Sequence, residues 1–206
     1  ENPALQAQRA LERHFGSRHT VVLAVSADQG SLFENPRLDA LRKLTDDMGL
    51  MPYATGASSL TNFHTPRADG DDLSAEALVP DGPFSAEALV ALQREALAEP
   101  RVLHGLLGAS GEVTAVVGYF DLPGEDGDRE TAEVNAAIDA LALRFEADNP
   151  GLTTYQIGSL PFNQAMADAA SFDLRNRYPL AMALMILLLW WSLRGVNPMF
   201  ITLGVI

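Results

Sequence analysis

The sequence predicts an α/β fold of the α+β kind: a ferredoxin-like split β-α-β sandwich followed by a transmembrane helix hairpin. Two β-α-β patterns follow one another along the chain and are separated by a long connection. An uncharged, strongly apolar interval, 178–193, comes after the second pattern. A short break at 194–198 then leads into another uncharged run, 199–206. Together these observations predict one α/β domain at 1–178 and membrane helices at 179–206.

The first β-α-β unit is predicted to follow an N-terminal helix at 3–15. The apolar run 20–26 is typical of a strand that is buried on both faces. Asn35 is predicted to cap the next helix, with Pro36 in its first position. Four apolar residues at helical spacing form the expected buried stripe of this helix: Leu38, Leu41, Leu44 and Met48. Residues 51–57 complete the unit as a strand.

The connection after the first unit is predicted to be an irregular insertion at 60–84. It is rich in Pro, Gly and Asp, and connections of this length are usually functional or mobile. Ser85 is predicted to cap a helix that continues to Ala98.

The second β-α-β unit is predicted to begin with a hairpin whose strands are 102–107 and 112–120. A helix at 130–147 and a last strand at 152–158 follow. The helix has an apolar stripe with the spacing i, i+4, i+7, i+11: Val134, Ile138, Leu141 and Phe145. Because the order is β-α-β and then β-α-β again, the two units are expected to share one sheet.

Charge is distributed unevenly along the chain. The net charge is −13, and all 27 acidic residues precede Pro179. A domain this acidic is not expected to bind nucleic acid or anionic lipid headgroups through its general field. The chain has no cysteine, so disulfides and thiolate metal sites are excluded.

The sequence shows no constellation that is typical of an enzyme, a metal centre or a cofactor site. The four histidines are scattered and do not form a metal-binding pair on one helix. Acidic clusters at 69–72 and 125–128 lack the ligand spacing of a calcium-binding loop, so solvated turns are expected there. We therefore predict no catalytic residue, no metal ligand and no cofactor.

Six apolar residues are candidates for the wall of a cleft that accepts an apolar ligand. They fall at the ends of predicted elements or on the helix before the apolar interval: Phe63, Phe84, Phe120, Leu122, Phe162 and Met166. Clefts for apolar ligands are built from side chains of this kind. Most such residues are core residues, so both interpretations stay open on the sequence alone.

The apolar interval 178–193 favours a membrane span. A helix of this length measures about 24 Å at about 1.5 Å per residue, somewhat less than the roughly 30 Å of a hydrocarbon core. Snorkelling arginines and an interfacial tryptophan pair, Trp190 and Trp191, can make up the difference. The alternative is a buried core helix of a soluble protein. With the run 199–206, the hairpin interpretation leads us to expect a piece of a larger membrane protein.

This arrangement resembles the resistance–nodulation–division (RND) exporters, in particular the branch of MMPL proteins, hopanoid transporters and Patched-like proteins. The likeness rests on the tracts 23–26 and 55–62 and on the junction 178–198. The resemblance implies that residues 1–178 are a periplasmic porter domain and that 179–206 begin the following membrane helices. It also implies a bacterial inner-membrane exporter that is driven by the proton-motive force and carries a hydrophobic lipid such as a sterol or hopanoid.

Two other classes of function compete with the transporter. One is an extracytoplasmic sensor or scaffold domain that binds a partner protein and transports nothing. The other is a hydrolase, which the lack of a nucleophile–base pair disfavours. The expected partners are an apolar lipid and, through 179–206, the membrane. Periplasmic partner proteins and further copies of the chain stay open as additional partners.

Overall fold

The computed structural model describes residues 18–69, 72–103, 105–124 and 126–193. The chain divides into two compact units, Glu1–Phe162 and Asn163–Ile206. The strands are β1 (Arg18–Ala27), β2 (Ala54–Ser58), β3 (His64–Asp69), β4 (Asp72–Ala77), β5 (Val113–Asp121) and β6 (Leu152–Gly158). The helices are α1 (Asn35–Gly49), α2 (Ala86–Ala98), α3 (Pro100–Leu103), α4 (Gly127–Asp148), α5 (Ser159–Phe172) and α6 (Tyr178–Leu193), with a 3₁₀ turn at Leu60–Asn62 and a π-helical segment at Asp173–Arg177.

Four strands form the main sheet in the order β2-β5-β1-β6, and each neighbouring pair is antiparallel. Because β5 is antiparallel to both β1 and β2, those two strands run in the same direction. The predicted mixed α/β class is confirmed, and four of the five predicted strand runs contribute to this one sheet: 20–26, 51–57, 112–120 and 152–158. β2 begins at Ala54, three residues later than predicted.

The hydrophobic core lies on one face of the sheet. Alternate residues of β1 point into it and are fully buried: Val21, Leu23 and Val25. The predicted stripes of α1 and α4 are also buried, so both helices contribute to this core. Helix α1 contacts β2, β5 and α4. The burial that the sequence predicted for these two helices is confirmed.

The opposite face of the sheet is open among the described residues. Its centre is a row across three strands, in which Val22 of β1 pairs with Val117 of β5 and Ile157 of β6. Val22 is only half-buried and Ile157 is exposed. The prediction that β1 is buried on both faces is therefore wrong. We call the outward side chains of β1, β5 and β6 the open sheet face.

The insertion after β2 is not irregular, contrary to the prediction for 60–84. Strands β3 and β4 pair as an antiparallel hairpin from His64↔Ala77 to Asp69↔Asp72. The 3₁₀ turn before the hairpin begins with Ser59, whose hydroxyl accepts a hydrogen bond from the backbone N–H of Thr61. Pairing along β3 and β4 satisfies backbone groups that a coil would leave to water.

The prediction of a strand at 102–107 is wrong. Pro100 begins a second short helix, α3, because proline is well tolerated at a first helical position, where the missing N–H has no intrahelical acceptor. Val102 is buried from this helix. Leu107 pairs with Thr114 in an isolated bridge, and the backbone N–H groups of Gly108 and Ala115 donate to the carbonyls of Val113 and Leu106, so the predicted hairpin is reduced to this short contact.

The sequence predicted that Asn35 caps α1, and this prediction is wrong. The capping position is Glu34, which has extended backbone and makes no side-chain cap. The side-chain amide of Asn35 instead makes two hydrogen bonds to the backbone of Phe84. Its Nδ2 donates to the Phe84 carbonyl oxygen at 2.9 Å, and its Oδ1 accepts from the Phe84 N–H at 2.8 Å. This pair ties the residues before α2 to the start of α1. Pro36 occupies a first-turn position, as predicted.

Helical structure continues from α5 through the π-helical segment into α6. Pro179 has no N–H to donate to the carbonyl four residues earlier, and this loss favours a widened turn just before it. None of the described helices is both long enough and apolar enough to cross a bilayer. The predicted helix 3–15, the break 194–198 and the run 199–206 lie outside the described residues.

Candidate functional site

Two of the six candidate wall residues belong to the core. Phe120 is fully buried, and Leu122 at the end of the same strand region is buried as well. Phe120 points to the helix-covered face of the sheet, as its position in the alternating burial of β5 requires. A side chain without exposed surface cannot line an open cleft.

Phe63 is covered by a cation. The guanidinium carbon of Arg101 lies 5.3 Å from the centre of the Phe63 ring, in cation–π contact. Arg101 is held there by Glu99, whose Oε1 accepts a 2.8 Å hydrogen bond from Nε. This hydrogen bond also lowers the pKa of the Glu99 carboxyl. Phe84 packs, partly buried, against the core.

The last two candidates are exposed and lie one turn apart on α5. Phe162 is 64% exposed and Met166 is 59% exposed. Their spacing of four residues places them on the same side of that helix. The six candidates are therefore divided among the core, an Arg-covered ring and an exposed helix face, and they do not line one common cleft.

A groove that the sequence did not reveal lies between α1 and α4. Its volume is about 360 Å³, and its apolar lining comes from the predicted stripes: Leu44, Leu141 and Phe145. Charged side chains line it as well: Lys43, Asp47, Arg144 and Asp148. Arg144 donates a 3.0 Å hydrogen bond from Nη2 to Oδ2 of Asp47. A neutral hydrocarbon entering here would desolvate these charges, so the groove does not suit the predicted ligand.

A cluster of three buried hydroxyls joins α1 to the 3₁₀ turn. Thr45 donates to the Leu41 carbonyl at 2.7 Å and contacts the Ser59 hydroxyl at 2.7 Å. Ser59 also lies 2.9 Å from the Thr61 hydroxyl. Buried hydroxyls satisfied in this way stabilise one arrangement of the backbone, and we assign the cluster a structural role.

Glu130 is a buried carboxylate at the start of α4. Its two oxygens accept hydrogen bonds from the backbone N–H groups of Gly124, at 2.9 Å, and of Asp126, at 3.2 Å. The turn before α4 is held by these bonds. A buried carboxylate engaged with backbone donors is adapted to fixing a turn.

On each edge strand of the sheet, a side chain of the chain itself engages one backbone group. On the β6 edge, Oε1 of Glu146 accepts 2.7 Å hydrogen bonds from the backbone N–H and the hydroxyl of Thr154. On the β2 edge, the amide of Asn62 donates a 2.8 Å hydrogen bond to the Ala57 carbonyl. Backbone groups engaged in this way are less able to pair with another strand.

The hydrogen bonds to Glu146 make a testable contribution to stability. They lower the pKa of this carboxyl below its ordinary value of 4.5, the backbone N–H of Thr154 contributing most. The ionised carboxylate therefore stabilises the fold at pH values above its ordinary pKa. This contribution is lost as the pH falls through the lowered pKa of the folded state. Because Glu146 is partly exposed, we expect Glu146→Gln to lower the free energy of unfolding at neutral pH by only about 0.5–1 kcal/mol.

Urea denaturation at a series of pH values checks this prediction. The difference between wild type and Glu146→Gln should shrink as the pH falls from about 6 to about 3. Asp139→Asn, on an exposed carboxylate of the same helix, is the matched control and should change little. A pH-independent difference for Glu146→Gln would contradict the assigned role of the ionised carboxylate.

No group of three or more His, Cys, Asp and Glu side chains that could hold a metal ion occurs within residues 18–69, 72–103, 105–124 and 126–193. In comparisons with known proteins, no protein-family model matches the chain, and no curated protein matches it.

Proposed function

We propose that the chain is the periplasmic part of an RND-type inner-membrane exporter, driven by the proton-motive force, that carries a neutral lipid such as a sterol or hopanoid. The observation that carries this proposal is the pairing of the first and last strands of the main sheet. Strands β1 and β6 are antiparallel neighbours, and Val21 of β1 lies opposite Gly158 of β6. The start of the first strand and the end of the last strand of the sheet thus lie side by side, as expected of a domain inserted between two membrane helices.

The strand order supports a ferredoxin-like porter domain. β5 lies antiparallel between β1 and β2, and β6 flanks β1 on the other side. Helices α1 and α4 each connect strands that are separated in the sheet by one other strand. This is the connectivity of a split β-α-β unit, with the hairpin of β3 and β4 and the helices α2 and α3 inserted between its halves.

The properties of α6 support a membrane location for 179–206. Its large apolar side chains are exposed on all sides of the helix, among them Leu180, Leu188 and Trp191. A helix that is apolar all round requires apolar surroundings. The helix has 16 residues, about 24 Å in length, so snorkelling cations and local thinning of the bilayer would be needed for it to span.

The lipid part of the proposal rests on charge and on exposed apolar residues. With a net charge of −13, the chain offers no general attraction to an anionic headgroup, so a neutral ligand is favoured. Among the six candidate wall residues, Phe162 and Met166 are the pair with large exposed surfaces. Burying about 300 Å² of apolar ligand surface at about 25 cal/mol per Å² corresponds to roughly 7 kcal/mol before entropic costs, so micromolar to sub-millimolar binding is expected.

A second candidate function is the sensor or scaffold domain that binds a partner protein. The open sheet face favours it, because exposed apolar surfaces of this kind mark interaction sites. Lipid binding is expected of the transporter domain and not of the sensor or scaffold domain, so it distinguishes the two candidates.

Equilibrium binding of a neutral sterol, a hopanoid and anionic phosphatidylglycerol tests the proposal. The two neutral lipids should bind below about 1 mM and the anionic lipid more weakly. Phe162→Ala should weaken neutral-lipid binding by about tenfold, since its truncation removes roughly 1.4 kcal/mol of apolar contact. Phe63→Ala, whose ring is already covered by Arg101, is the matched control and should bind as wild type does.

A chain ending at Arg177 serves as a further arm of this experiment. It lacks α6, so it removes simple partitioning of lipid onto that helix. Retained binding of the neutral lipids supports a site outside α6. If neither neutral lipid binds to either chain below about 1 mM, the lipid proposal fails and the partner-binding function takes its place.

A further inference from the structure

We propose that Asp81 and Gly82 form a site of spontaneous chemical modification, at which the aspartate isomerises to isoaspartate. This inference does not depend on lipid transport or on membrane insertion. It rests on the exposure of the Asp81 side chain and on the free backbone N–H of Gly82. A second Asp–Gly pair, Asp126–Gly127, is held in place by the fold and serves as the comparison within the same chain.

The reaction joins groups of two neighbouring residues and consumes no other reactant than water. The backbone nitrogen of Gly82 attacks Cγ of the Asp81 carboxylic acid, a C–N bond forms, and the hydroxyl leaves as water together with the amide proton. The product is a succinimide ring. Water then adds to either ring carbonyl. Opening at the former side-chain carbonyl restores aspartate, and opening at the main-chain carbonyl gives isoaspartate, in which the backbone continues through Cγ.

Both reacting groups are accessible. The Asp81 side chain is 97% exposed. The N–H of Gly82 makes no hydrogen bond with any residue that the structure describes. A Cβ atom at this glycine would meet no atom within 4 Å, so no neighbour crowds the ring that forms. Glycine also permits the backbone rotations that bring its nitrogen towards Cγ of the preceding residue.

The contact of Asp81 with Arg42 is too weak to prevent the reaction. Nε of Arg42 lies 3.4 Å from Oδ1 of the aspartate, and the aspartate side chain is almost fully exposed. An exposed ion pair changes a local equilibrium by about fivefold at most. Arg42 also donates a 3.1 Å hydrogen bond to the Pro80 carbonyl and pairs with Asp39 at 3.0 Å. The arginine therefore keeps other partners when Asp81 moves.

The pair Asp126–Gly127 has the same chemistry in a held conformation. Asp126 is the N-cap of α4, and its Oδ1 accepts a 3.3 Å hydrogen bond from the N–H of Arg129. Its own N–H donates to Oε1 of Glu130 at 3.2 Å. Ring closure must first break this cap, which makes the reactive conformation rarer by about tenfold. The third Asp–Gly pair is at 69–70, and residue 70 lies outside the described residues.

Isoaspartate at position 81 would lengthen the backbone between two anchors of the insertion. On one side, Arg42 holds the carbonyl of Pro80. On the other side, Asn35 holds the backbone of Phe84. Isomerisation adds one methylene group to the main chain between these anchors. We therefore expect it to loosen the tie between the insertion and α1 and to speed hydrogen exchange at the Phe84 N–H, which donates to Oδ1 of Asn35 at 2.8 Å.

Peptide mapping of the full chain, aged in a neutral buffer with an uncharged detergent, tests the proposal. Isoaspartate is identified by electron-transfer fragmentation and by its resistance to an endoprotease that cleaves before aspartate. In the folded chain, conversion at Asp81 should exceed conversion at Asp126 by at least about tenfold. In concentrated urea the two positions should convert at similar rates, because the hydrogen bonds that hold Asp126 are then broken.

Gly82→Ala is the matched variant, because it keeps Asp81 and adds a methyl group beside the attacking nitrogen. It should slow conversion at Asp81 by about tenfold, in the folded chain and in urea alike, and leave conversion at Asp126 unchanged. Three results would each overturn the proposal: equal conversion at the two positions of the folded chain, no isoaspartate at Asp81 once the chain in urea has converted, or no effect of Gly82→Ala. Unchanged hydrogen exchange at Phe84 in the modified chain would overturn the predicted loosening.

Discussion

Phe120→Ala is expected to lower the free energy of unfolding by about 3–5 kcal/mol, which is the usual range for truncating a fully buried phenylalanine. Phe120 has no exposed surface and belongs to the core that β5 shares with the helices. Removing the ring forfeits its apolar burial and leaves a cavity that the packed neighbours fill only in part. Urea denaturation followed by circular dichroism measures this loss.

The neighbouring residue provides the control for Phe120. Tyr119 precedes it on β5 and points to the open sheet face, where it is 37% exposed. Tyr119→Ala should cost less than about 1.5 kcal/mol, because much of the ring is already in water. If the two substitutions had equal effects, Phe120 would not be a core residue, and its predicted place in a ligand cleft would regain support.

Gly158→Ala is the second substitution for which we expect a large effect. Gly158 has φ = +150°, a conformation that side chains other than glycine rarely adopt. A Cβ atom there would overlap the carbonyl oxygen of Thr20 and lie 2.9 Å from Cα of Val21, both in the backbone of β1. Strain and overlap together should lower the free energy of unfolding by about 3–5 kcal/mol.

Gly82→Ala separates the conformational strain from the overlap with neighbouring backbone atoms. Gly82 also has a positive φ, +117°, but a Cβ atom there would meet no atom within 4 Å. This substitution should cost only the conformational strain of about 1–2 kcal/mol. Both variants can be measured by the same urea titration. Equal losses would show that the close approach of β6 to β1 is not what requires glycine at 158.

The main sheet and its two covering helices could be predicted because their patterns are long and regular. In α1 and α4, apolar residues recur at helical spacing over several turns, and both stripes are buried as expected. The run 20–26 is strongly β-branched and forms the central strand β1. Its burial on both faces was predicted wrongly, because a sequence pattern cannot show which face of a sheet remains uncovered.

The insertion was mispredicted because its signals are short and mixed. β3 contains a proline, Pro66, and several polar residues, so its strand pattern is weak. An apolar run of a few residues such as 102–107 cannot be assigned to a strand or a helix by its periodicity. Asn35 has the chemistry of a helix cap, but its amide bonds to Phe84, which lies 49 positions away in the sequence.

The candidate site could be predicted only in part. Phe162 and Met166 are exposed, as a ligand wall requires, whereas Phe120 and Leu122 are core residues. Sequence position at the end of an element does not distinguish these outcomes, since both depend on which neighbours cover the side chain. The groove between α1 and α4 was missed for a similar reason, because it arises from the spacing of two helices and not from any motif.

The pairing of β1 with β6 also determines how the α/β unit responds to mechanical force. Val21 and Gly158 are opposite one another near the start of β1 and the end of β6. Tension that separates these two points acts on one end of an antiparallel ladder, so its hydrogen bonds break one after another instead of sharing the load. Such unzipping proceeds at lower force than shearing. Lateral strain on the segments that flank the unit would therefore open the sheet first between its central and last strands.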